Sequence, residues 1–158
     1  MPADPRIRRP TGSEAALVAE RLLVPSYEAA AATDPEFDAL AADALDDPGI
    51  GFWRDHDDRT LFVADVQSAL VGVVTGRYTP SPPIYARGDR VHCDGLYVLP
   101  PFRRRGIADA LVDRLERWGR DRGAEYASLQ VHVDNDPARE FWTDAGYDPK
   151  FESCYKEL

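Results

Sequence analysis

The stretch Leu96–Leu111, LYVLPPFRRRGIADAL, decides the reading of this chain. An apolar run ends at Pro100, three arginines follow, and Gly106 opens a segment with helical spacing. Ile107, Leu111, Leu115 and Trp118 recur on one side, widened by Ala108 and Val112, which predicts a core-facing helix from Gly106 to about Arg122. Gly123 supplies its C-terminal stop. The first amides of such a helix have no partner within it and carry the positive end of its dipole, so an anion fits there. Glycine at that point lets another group approach the backbone closely. Arg103, Arg104 and Arg105 add positive charge in a chain whose formal net charge is −9. There is no G-x-G-x-x-G and no Walker lysine, which argues against Rossmann and P-loop nucleotide sites.

Upstream, Val91 to Leu99 reads as the strand that feeds this loop. Thr60 to Val66 and Leu70 to Tyr78 read as a hairpin turning at Gln67-Ser68. Pro80, Pro82 and Pro83 mark an irregular loop to about Arg90. At the start, Ile7 to Pro10 reads as a short strand. A helix capped at Thr11 or Ser13 is expected to stop at Pro25. A second helix is expected over 36–45, with Asp34 as cap, Pro35 in its first position and Asp46-Asp47-Pro48-Gly49 as its end. Downstream, Ala127 to Val133 alternates as a strand, and Pro137 to Ala145 reads as a helix capped by Asp136 and ended by Gly146. Short strands near 150–151 and 153–156 close the chain. The order predicts a mixed α/β domain on one central sheet, with residues 1–158 as a single domain.

The chain has 158 residues, 28 acidic and 19 basic, and only two lysines, Lys150 and Lys156. Such acidity argues against general nucleic-acid binding. It suits either a cationic acceptor drawn in by the field or simple solubility. No run is long enough for a membrane span, and the first residues lack an apolar signal core. Two cysteines, Cys93 and Cys154, make neither a disulfide framework nor a metal site, so a reduced, cytoplasmic setting is expected.

R-x-x-G-x-A after a strand ending V-x-P, here Arg103, Gly106 and Ala108 after Val98 and Pro100, resembles the acetyl-CoA signature of the GCN5-related N-acetyltransferase (GNAT) family. Asn135 to Tyr147, NDPAREFWTDAGY, resembles that family's N-x-x-A-x-x-(apolar)-Y-x-x-x-G-(F/Y) segment, and Tyr155 to Leu158 resembles its ending. The resemblance implies a mostly antiparallel sheet with a splayed strand pair and helices on both faces. It implies that amides from Arg104 to Asp109, Ile107 and Ala108 included, cradle the pyrophosphate of acetyl-CoA. Leu96, Tyr97 and Val98 would pair with the pantetheine arm, and Asn135 and Trp142 would flank the thiol end. The implied reaction is direct acetyl transfer to a primary amine of a small molecule or peptide. A homodimer is compatible with the family, and a non-catalytic acyl-CoA sensor is the alternative.

An ammonium acceptor has a pKa of about 10.4 and needs a proton acceptor at neutral pH. His92 and Asp94 lie two apart and share a strand face. His92 sits where several family members place a base. The same two residues would equally serve by bonding each other or solvent. A backbone N–H near Leu96 to Val98 would stabilise the oxyanion. Where many relatives have a tyrosine acid, this chain has Trp142, whose indole N–H has no useful acidity. Tyr147, Tyr155, water, or a thiolate leaving unaided would fill that role. His132 on the neighbouring strand is a lesser candidate, and covalent catalysis by Cys93 or Cys154 is disfavoured.

Overall fold

The structure is a computed structural model that describes residues 4–47 and 49–158; Met1 to Ala3 and Pro48 of the expected helix end lie outside the described residues. The elements are β1 (Arg6–Arg8), α1 (Ala15–Val18), α2 (Val24–Thr33), α3 (Ile50–Arg54), β2 (Arg59–Val66), β3 (Ala69–Thr79), β4 (Arg90–Val98), α4 (Ile107–Asp121), β5 (Tyr126–Leu129) and α5 (Asp136–Asp144). The sheet order is β1-β2-β3-β4-β5, antiparallel throughout except for the parallel β4–β5 pair. The β2–β3 turn uses Gln67 and Ser68, both at positive φ, the twist a two-residue hairpin needs.

Alternation along the central strands divides the core into two layers. Leu61, Val63, Leu70 and Val73 pack with Val18, Leu22 and Leu23 of the N-terminal helices. Phe62, Ala64, Val71 and Val74 pack with Ile107, Leu111, Leu115 and Trp118 of α4. Burying each such side chain contributes about 1.5–3 kcal/mol, so both helical layers are held by their apolar stripes. Gly119 lets α4 press directly on the sheet: a Cβ there would lie 2.6 Å from that of Val91.

Four expectations are corrected. Pro25 does not stop the first helix. Ala19–Leu23 forms a wider π-helical turn between α1 and α2, and the backbone continues to Thr33. Proline's missing N–H and bulky ring are tolerated where the ladder is already widened. The helix over 36–45 is absent. Asp34 does accept the Phe37 N–H at 3.3 Å, but only isolated turns follow, because Phe37, Leu40 and Leu45 stay exposed. A short helix without burial does not propagate. The strand expected over 127–133 spans only Tyr126–Leu129. The closing strands near 150–151 and 153–156 do not form; residues 148–158 lack regular structure, with Phe151 88% exposed.

Candidate active site at the split of two strands

The site begins with an extra residue in β4. Thr75 of β3 faces Gly95 and Gly76 faces Cys93, so Asp94 is a bulge with no counterpart. A bulge bends its strand and increases its twist. On the other side, β5 pairs with β4 only from Arg90↔Tyr126 to Cys93↔Leu129. Beyond this point β4 stays paired with β3 only, and among the described residues the other backbone edge of Gly95 to Val98 has no strand partner. Leu96 and Val98 turn toward the α4 layer, whereas Tyr97 packs on the N-terminal helices.

That open edge leads into the arginine loop. After a tight turn at Pro100–Phe102, the Arg103 Nε donates to the Val98 carbonyl at 2.8 Å, which ties loop to strand. Arg104 and Gly106 both take positive φ, 61° and 79°. Gly106 is the residue before the first turn of α4, and left-handed backbone there suits glycine. Space around it is open: nothing lies within 4 Å of where a Cβ would be. The first bond of the helix is Ala110 N–H to the Gly106 carbonyl at 3.1 Å, and no side chain caps the start. The amides of Ile107, Ala108 and Asp109 therefore stand free beside exposed Arg104 and Arg105, and Asp109 is the acidic residue of the first helical turn.

His92 stands one residue before the split. Its Nδ1 is 2.8 Å from the Ser128 hydroxyl on β5. Burial lowers its pKa below the usual 6.5 of imidazole; Asp94 opposes this, and Arg77 and Arg90 reinforce it. Asp94, its side chain 15% exposed, pairs with Arg77 at 2.9 Å, and Arg77 lies directly across from His92. His92 and Asp94 are thus grouped by Arg77 and do not bond each other. Burial raises the Asp94 carboxyl pKa against the pull of Arg77.

Asn135 and Trp142 are engaged within the protein. Asn135 caps α5, its Oδ1 accepting the Ala138 N–H at 3.3 Å, so the cap is Asn135 and the expected Asp136 is the first helical residue. Trp142, 9% exposed, packs edge-on against Phe141 and Tyr147 in the α4 layer. Burial lifts the Tyr147 pKa well above the usual range, which makes it a poor proton donor. Tyr155 is 68% exposed beside Phe37. Burial pushes the Cys93 thiol up to about 12, so it is no nucleophile at neutral pH. His132 sits apart, bonded to Asp34 at 3.0 Å. Sequence reading missed Ser128: a lone serine on a short strand gives no signal until the strand register sets it opposite His92.

The chain matches the acetyltransferase (GNAT) family over residues 20–147. It belongs to that family. This GNAT chain is also 40% identical over 81 residues to acetyltransferase YE1169 of Yersinia enterocolitica; the match covers 51% of the chain and about half, 52%, of that relative. Its fold is similar to that of aminoglycoside N-acetyltransferase AAC(6')-Iy solved in complex with CoA, at a TM-score of 0.74 and 18% identity, covering 100% of this chain and 97% of that one. It is also similar to a tetramutant of BH1408 from Bacillus halodurans, at a TM-score of 0.83 and 18% identity, covering 97% and 99%. The likeness in fold extends along almost the whole chain, including the N-terminal part that has no motif.

Proposed function

We propose that this chain, acting as one domain, transfers acetyl from acetyl-CoA to a primary amine of a small molecule or peptide. The observation that carries the reading is the continuity of the unpaired β4 edge, Gly95 to Val98, with the free amides of Ile107 to Asp109. An extended amide-bearing arm pairs with such an edge as an added strand. A pyrophosphate suits the helix start, where Arg103 to Arg105 add charge. AAC(6')-Iy has been solved with CoA and with the bisubstrate analogue CoA-S-monomethyl-acetylneamine, which supports both a CoA thioester and an amine acceptor.

In this reading acetyl-CoA supplies an activated acyl group. His92 accepts the acceptor's proton at Nε2, aided by a ring that burial keeps neutral. An N–H of the β4 edge donates to the oxygen on which charge develops. No tyrosine fills the place of Trp142, and the thiolate, with a pKa of about 8.5 for its conjugate thiol, leaves without one. Two free cysteines fit a cytoplasmic setting, and among the described residues no helix is long and apolar enough to cross a membrane.

Calorimetric titration with acetyl-CoA tests the first step. Binding is expected in the wild type, and a Gly106→Trp variant that stays folded is expected to bind at least about a hundredfold more weakly; unchanged affinity in that variant sinks the reading. Thiol release from acetyl-CoA across a panel of amines then separates an enzyme from a non-catalytic sensor, which would bind and release none.

A further inference from the structure

We propose that Ser128 is a positioning residue that holds the His92 ring with its proton on Nδ1, leaving Nε2 open to accept a proton. The inference rests on the reading of His92 as the base. The parallel register sets His92 opposite Ser128 one step before the strands part, and both side chains are half-buried. At 2.8 Å, Nδ1 and Oγ share one hydrogen bond, which either atom can donate. If serine donates, the ring carries its proton on Nε2 and presents a donor to an incoming ammonium, itself a donor. If Nδ1 donates, the serine hydroxyl accepts through a lone pair, its own proton rotates away, and Nε2 offers a lone pair. Among the described residues nothing bonds Nε2.

The charged neighbours do not take over this task. The Asp94 carboxylate, next but one in sequence, is held by Arg77 at 2.9 Å. Arg77 and Arg90 can only donate. Among the described residues Ser128 is therefore the one side chain bonded to the ring. A neutral hydroxyl orients the ring from either tautomer without adding a full negative charge. The base role, which needs the Nε2 lone pair free, is what assigns the proton to Nδ1 and the accepting role to Ser128.

Nitrogen-resolved NMR of histidine-labelled protein at pH 8, on wild type, Ser128→Ala and Ser128→Thr, tests this directly. Wild type and Ser128→Thr are expected to show the proton of His92 on Nδ1, and Ser128→Ala to shift it toward Nε2. In parallel, Ser128→Ala is expected to lose about tenfold in kcat with the KM for acetyl-CoA unchanged, and Ser128→Thr to recover to within about twofold of wild type. A wild-type ring protonated on Nε2, or the same tautomer in Ser128→Ala, overturns the proposal. Full turnover by His92→Ala would instead remove the base reading and leave the tautomer result standing, so the two failures are distinguishable.

Discussion

Arg90 to Cys93 and Gly95 to Val98 are halves of one strand, yet they live in different surroundings. The first half has a strand on each side, and α4 pressed on it through Gly119 and Val91. The second half has β3 on one side and no strand on the other. A bare edge is a liability that proteins cover, charge or shorten. Here the four residues carry no charge, and they run into a loop that presents amides and arginines. The closed half supplies rigidity, and the open half supplies a backbone edge that no strand takes up, although the Val98 carbonyl there already accepts from Arg103. Asp94, the extra residue between them, marks where the half paired on both sides gives way to the half paired only with β3.

The closed half is the more sensitive to added bulk. Gly119→Val would drive a Cβ to within 2.6 Å of the Val91 Cβ, on a strand that cannot shift because both neighbours hold it. A loss of about 3 kcal/mol or outright unfolding is expected in chemical denaturation. Gly106→Ala meets nothing within 4 Å and loses only the ease of its left-handed backbone, about 1–2 kcal/mol. If Gly106→Ala proves the more damaging, the contrast between the halves is wrong.

The boundary can be broken chemically as well. His92→Ala is expected to lower kcat about a hundredfold while leaving acetyl-CoA affinity within about twofold, because the ring lies on the closed side of the split. Steady-state kinetics alongside calorimetry measures both. An equal loss in binding would make the split a binding feature alone.

How legible this was follows the same division. The α4 stripe and the arginine loop could be read because local pattern and tertiary role agree: Ile107, Leu111, Leu115 and Trp118 are periodic and buried. The central strands β2, β3 and β4 were legible to within a residue because their alternation serves two packed faces, whereas β5 ends four residues early and the closing strands do not form. The segment 36–45 has an equally good stripe, but Phe37 remains 58% exposed, and periodicity does not reveal whether a partner surface exists. Pro25 misled because the π-helical turn before it leaves no trace in local propensity. The site was half legible. Gly106 and His92 follow from motif and position, whereas the Arg77–Asp94 pair and the Ser128 bond depend on strand register and a bulge. Asn135 shows the converse, a motif residue whose visible task is capping.

The smallest expected effect separates the two acidic-limb candidates. A base at His92 must be neutral to accept a proton, so on the proposed reading kcat/KM is expected to fall as the pH drops through its pKa, which burial places below 6.5. Asp94 is the neighbour that raises this pKa, while Arg77 and Arg90 lower it. Asp94→Asn removes the raising charge and leaves Arg77 without its counter-ion. The acid limb is therefore expected to move to lower pH, with the rate at pH 8 little changed since the ring is neutral there in both proteins. A pH–rate profile read at its acid limb decides the assignment. If Asp94 were itself the base, the variant would lose activity at every pH and have no limb to move. A limb displaced upward would mean that the group titrating is neither of them.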